Sequence, residues 1–129
     1  GIRCLEILAS GPINDAADRA ASRLRDGLNG LFARAGVPAS AYGRSSLIRV
    51  LLGVRCGDPE GCRLPSAEIA RGLDAERGRA FRQAMLNAGV DVMNGNLFIV
   101  SAVHADGDID RTVEACDRAL AAMRADGAL

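Results

Sequence analysis

A chain of 129 residues with 49% hydrophobic and 25% charged residues has the composition of one globular domain, too short for two ordinary ones and too apolar to stay disordered. Its 16 basic and 16 acidic residues cancel and are interspersed, which leaves no long-range field to draw in nucleic acid or an anionic membrane. No apolar run approaches the roughly 20 residues that span a bilayer, and the first residues lack the basic, apolar, small-residue order of a signal peptide, so a soluble cytoplasmic protein is expected.

All 16 basic side chains are arginine, and lysine is absent. Cys4, Cys56, Cys62 and Cys116 are scattered, unlike the dense pattern of a secreted disulfide scaffold, so free thiols are expected. Aromatic residues are only 3%. The core must then come from Ala, Leu, Ile and Val, which bury less area per residue and promise modest stability.

In chain order, Ile2, Leu5, Leu8 and Ala9 fall at helical spacing over residues 2–9 with no capping residue before them, so residues 1–10 read as the tail of a longer inter-domain helix. Ser10, Gly11 and Pro12 break it. A second helix is predicted over 13–35, with Ile13, Ala17, Ala20, Ala21, Leu24, Leu28, Leu31, Phe32 and Ala35 in one stripe. Gly27 and Gly30 within it suggest close approach to a sheet, and Gly36 and Pro38 end it. Strands follow over 39–43 and 46–52. In the second, Ile48, Val50 and Leu52 share one face and Leu47, Arg49 and Leu51 the other, so it should be central. Residues 53–64 carry loop chemistry. Ser66 is placed to cap a short helix to Arg71 and Asp74 the next, over 75–88, with Phe81, Met85 and Ala88 inward. The stretch 89–111 reads as a hairpin on which the rest packs, with strands at 90–92 and 97–103 around Asn94, Gly95 and Asn96. A last helix starts at Asp106 or Asp108 and buries Ile109, Val113, Cys116, Leu120 and Met123. Asp106, Asp108 and Asp110 at its start and Arg118 and Arg124 toward its end suit its dipole. The expected fold is α+β, a two-layer sandwich of a three- to four-stranded antiparallel sheet with helices on one face.

The run Ala84 to Met93, then Phe98 to His104, then Asp108 to Thr112, together with Leu24 to Asn29 and Gly43 to Ser46, resembles the carboxy-terminal domain of class III pyridoxal-phosphate-dependent aminotransferases, most of all the glutamate-semialdehyde aminomutase group. Ala105 stands where that family usually has Thr, which moves the last helix cap to Asp106 or weakens it. The turn also lacks an acidic residue that some members carry. The resemblance implies the small domain of a fold type I transferase that moves an amino group on a small amino-acid-like substrate. It further implies a homodimeric parent and a pyridoxal-phosphate-binding domain that precedes this segment. The Schiff base of that chemistry needs a lysine amine. With none here, the chain is expected to hold neither catalytic residue nor cofactor and to be inactive alone. The alternative is a stand-alone α+β module that binds a small ligand or a protein partner without catalysis.

The resemblance puts Asn94, Gly95 and Asn96 at a substrate entrance, against an ordinary hairpin turn needing those residue types. Ser45 and Ser46 can face the substrate through their hydroxyls or bond to nearby backbone. Arg49 can bind a carboxylate as a fork, pair with an acid, or reach water along its stem. His104 reads as structural, because the sequence sets no nucleophile or carboxylate beside it. The spacing of Cys56 and Cys62 is not that of a zinc pair and no second pair exists, so no metal site is expected.

Overall fold

The computed structural model describes residues 1–129, apart from the side chain of Ser10. In order it has α1 (Ile2–Ser10), α2 (Ile13–Arg34), β1 (Ala39–Tyr42), β2 (Leu47–Leu52), α3 (Ser66–Gly72), α4 (Ala75–Asn87), β3 (Leu97–Ile99) and α5 (Asp106–Ala125). The strands form one antiparallel sheet in the order β1-β2-β3. The α+β class and the central place of β2 are as expected. β1 pairs from Ala39 with Leu52 to Tyr42 with Arg49, and β3 from Ile99 with Leu47 to Leu97 with Arg49.

Side chains alternate across β2, so Ile48, Val50 and Leu52 enter the core. The stripe predicted on α2 lies over them, with Ala17, Ala20, Ala21, Leu24, Leu28, Leu31 and Phe32 buried. α4 adds Phe81 and Met85, and α5 adds Ile109, Cys116, Leu120 and Met123. The Phe81 and Phe98 rings meet edge to face at 6.5 Å. Each large aliphatic or aromatic side chain sealed in this layer contributes roughly 1.5–3 kcal/mol. On the outer face, α3 touches the far end of β2. A Cβ on Gly72 would come within 2.8 Å of the Leu51 Cβ.

Several local expectations change. Residues 90–92 form no strand. The Val90 N–H turns back to the Met85 carbonyl at 2.9 Å and finishes α4, while Val92 buries its side chain and its carbonyl accepts from the Gly95 N–H at 3.4 Å, a turn contact and not a ladder pair. The predicted hairpin shrinks to one isolated bridge between Met93 and Leu97. β3 stops at Ile99; the chain turns soon after, closed by His104 N–H on the Ser101 carbonyl at 3.2 Å. The sheet is therefore organised by β2, which has a partner on each side, and not by the 89–111 stretch.

Ser66 is the first residue of α3 and not its cap. That place belongs to Pro65, whose carbonyl accepts from the Glu68 and Ile69 N–H groups at 2.9 and 3.1 Å. Asp74 does cap α4, accepting from the Arg77 N–H at 2.8 Å. Ala105 keeps the cap position of α5 with no side chain to offer. Half of a capping box survives, since the Asp108 carboxylate accepts from the Ala105 N–H at 2.9 Å. That bond, with Arg111 beside it, holds Asp108 below the usual carboxylate range. Gly27 answers to α5 and not to the sheet: a Cβ there would lie 2.9 Å from Val113 Cγ2. Arg118 and Arg124 serve neighbouring helices. Arg118 donates to the Ala88 carbonyl at the end of α4, at 3.4 Å, and Arg124 to the Ala35 carbonyl at the end of α2.

Candidate functional site

The turn after α4 is built by residues that accept positive φ. Asn94 stands at 51° and Gly95 at 81°, the sign that a tight reversal needs at consecutive positions and that Asn-Gly supplies at least cost. The Asn96 N–H donates to the Met93 carbonyl at 3.2 Å, and the Asn96 carbonyl accepts from the Val50 N–H at 2.8 Å. The turn is thereby anchored to the central strand. Glycine is required at 95 a second time, because a Cβ there would come within 2.6 Å of the Gly78 carbonyl oxygen.

This contact brings the turn against α4 and leaves a groove of about 360 Å³ between them, lined by Asn94, Gly95 and Asn96 with Asp74, Arg79 and Arg82. Arg82 is committed to Asp91, donating to it at 3.1 and 3.2 Å. Arg79 has no acidic partner among the described residues. The groove therefore offers two side-chain amides and one uncommitted guanidinium, donors suited to a carboxylate or carbonyl oxygen. Sequence reasoning missed Arg79 and Arg82. Their spacing of three puts them on one helical face, but only the fold reveals that this face meets the turn.

Ser45 and Ser46 lie at the opposite end of β2. Ser45 has φ 52° and lines a separate shallow groove with Arg25, Arg44 and Glu60. Ser45 is exposed and Ser46 half-buried, and neither hydroxyl has a hydrogen-bond partner among the described residues. The Ser46 carbonyl accepts from the Val100 N–H at 2.8 Å. Some four residues of strand, on the order of 13 Å at the usual rise, separate these serines from the 94–96 turn. The structure therefore divides the sequence candidates between two grooves.

Arg49 sits between them on the outer face, half-buried and opposite Tyr42 in the register. It pairs with no acid among the described residues. Burial raises the Tyr42 phenol above its ordinary value despite the guanidinium. His104 closes a local turn: its Nδ1 accepts from the Ser101 N–H at 3.0 Å, with the Ser101 hydroxyl also at 3.0 Å.

No family model matches the chain. Two curated proteins named glutamate-1-semialdehyde 2,1-aminomutase are similar to it. That of Halobacterium salinarum is 28% identical over 141 residues, 93% of this chain and 31% of the relative. That of Desulfosudis oleivorans is 32% identical over 117 residues, 89% of this chain and 26% of the relative. The chain thus spans less than a third of the length of the relatives it matches. Among solved structures, the PLP internal aldimine form of the FumI protein of Sphingopyxis sp. MTA144 matches 98% of this chain and 27% of its own, at TM-score 0.73 and 28% identity. A β-phenylalanine aminotransferase from Variovorax paradoxus matches 85% of this chain and 24% of its own, at TM-score 0.69 and 25% identity.

Proposed function

We propose that this chain, which resembles the carboxy-terminal part of class III pyridoxal-phosphate-dependent aminotransferases and aminomutases over most of its length, is the small domain that covers the active site of such an enzyme. The supporting observation is the coverage: nearly all of this chain, and little more than a quarter of the FumI protein, enter one match. The exposed apolar side chains of α1, Ile2, Leu5, Ile7 and Leu8, agree with a segment that packs against further protein. The 94–96 turn with Arg79 then forms one wall of the substrate entrance, holding a small amino-acid-like substrate by its carboxylate or carbonyl oxygens. The parent is a homodimer in the cytoplasm; within the described residues, no helix is long and apolar enough to cross a membrane.

Pyridoxal phosphate supplies electron withdrawal once it is joined to an amine as a Schiff base. The residues present do not fit the role of its holder, because the chain contains no lysine. Its part is to shape, orient and shield. The test is the coding sequence upstream of Gly1. A reading frame that continues into a pyridoxal-phosphate-binding segment with a lysine is the expected result. A frame that opens at or just before Gly1 overturns the reading. The isolated chain should also show no turnover of glutamate-1-semialdehyde and yield no pyridoxyllysine on borohydride treatment with the cofactor.

A further inference from the structure

Of the asparagines in the chain, two, Asn29 and Asn94, are followed by glycine. Such a pair carries a chemistry of its own. The glycine nitrogen, with no Cβ beside it to obstruct its approach, can close a five-membered ring on the side-chain carbonyl carbon of the asparagine. Asparagine is accordingly among the thermally labile residues. Ring closure depends on how firmly the fold holds the two groups apart, and the two pairs stand in opposite environments.

Asn29 is locked. It lies with Gly30 inside α2, where backbone N–H groups are committed to intrahelical bonds. Its side chain is fixed at both ends: Asn29 Nδ2 donates to the Ala41 carbonyl and Asn29 Oδ1 accepts from the Ala41 N–H, each at 2.8 Å. Asn94 is open. It is exposed, and its side-chain amide has no hydrogen-bond partner among the described residues. The Gly95 N–H donates to the Val92 carbonyl at 3.4 Å, longer than an ordinary bond of this kind. Gly95 is buried against Gly78, yet it also lines the groove, from which water reaches it.

We propose that Asn94 is a site of spontaneous deamidation in the folded protein, selected over Asn29 by the fold. The Gly95 nitrogen gives up its proton and bonds to Asn94 Cγ; the Cγ–Nδ2 bond breaks, and the amide nitrogen leaves as ammonia with that proton. Water then opens the cyclic imide. Cleavage at Cγ leaves an aspartate at position 94, and cleavage at the backbone carbonyl carbon leaves an isoaspartate whose main chain is one carbon longer. One water is consumed, one ammonia is released, and nothing is oxidised or reduced. Either product adds a negative charge to the groove in which Arg79 offers a guanidinium to anions. The longer main chain also disturbs the turn that the Asn96 carbonyl anchors to Val50. The modification depends on the turn alone and not on the parentage of the chain.

The test is prolonged incubation of the full chain in mildly alkaline buffer, folded and in urea, followed by brief tryptic digestion at mildly acidic pH and mass spectrometry. Cleavage after Arg25, Arg34, Arg82 and Arg111 separates Asn29, in peptide 26–34, from Asn94, in peptide 83–111, and fragment ions distinguish Asn94 from Asn87 and Asn96. In the folded chain position 94 should exchange its NH2 for OH at least about tenfold faster than position 29, because a pair inside a helix reacts only from locally opened states. Asn94→Gln, whose ring would need a further member, should leave peptide 83–111 unchanged. In urea, where neither pair is shielded, the two positions should convert at matching rates, and a gap that persists there overturns the fold as its cause. The proposal also falls if the folded chain converts at 29 as fast as at 94, or at 87 or 96 in place of 94. It falls equally if position 94 stays intact over the time in which the unfolded chain converts.

Discussion

On the inner face of β2, Ile48, Val50 and Leu52 are closed off by α2 and the helices beside it, whereas on the outer face Leu47 and Ile99 stand opposite each other at 51% and 54% exposure. Met93, paired with Leu97, continues that exposed apolar surface at 50%. One sheet thus has a finished side and an unfinished one. The finished side contains the apolar area that folds the domain, and the outer side carries Arg49, a side chain that suits recognition. A surface with this division is what a domain needs if it folds on one face and meets other protein or ligand with the other.

The contrast is sharpest in side-chain truncation. Ile48→Ala should lose about 2–5 kcal/mol in urea unfolding, whereas Leu47→Ala, the preceding residue, should stay within about 0.5 kcal/mol of the parent. Similar losses at both would erase the distinction. Gly95→Ala tests the turn where the two faces meet. It forces a side chain into positive φ and against the Gly78 carbonyl and should cost about 1–3 kcal/mol, seen as a lower thermal midpoint. Asp74→Ala removes the cap of α4 at a cost of about 1 kcal/mol, with a matching loss of helical circular dichroism on heating.

Ionisation of Cys116 matters only in alkali. Burial pushes the Cys116 thiol up to about 12 from an ordinary 9.0. Below pH 9 folded and unfolded states both keep the proton, so its contribution to stability is fully present. It is lost as pH rises from there toward the folded value, because only the unfolded thiol ionises. Unfolding curves for the chain and for Cys116→Ala, compared on either side of pH 9, should therefore converge in alkali; parallel pH profiles would mean that the thiol is not sealed in the finished side.

The long elements were legible because their periodicity extends over many turns. α2 and α5 repeat their apolar positions often enough that no short-range preference competes, and Asp74 caps α4 as its position implies. Short elements were harder. Val90 and Val92 favour a strand by composition, yet the backbone at 90 completes the helix before it, and burial of Val92 alone supplies no ladder partner. The cap at Ser66 failed because the proline before it already occupies that place. For the candidate site, Asn94, Gly95 and Asn96 were visible as a turn, while Arg79 was not, because nothing local says which face of α4 meets them. Cys56 was visible only as a loop cysteine, since the bonds to Ser40 and Asp58 that orient it depend on how the loop folds back.

The bidentate contact of Arg23 with Asp110, at 2.9 and 3.0 Å, links residues 87 positions apart, and Gly27 against Val113 bridges nearly as far. Much of what covers α2 therefore arrives late. During synthesis α2, β1 and β2 leave the ribosome with the apolar stripe of α2 still waiting for α5, and closing so long a loop is entropically slow. The domain should complete its fold only after its last helix emerges, and a nascent chain cut before α5 should remain sensitive to protease along α2.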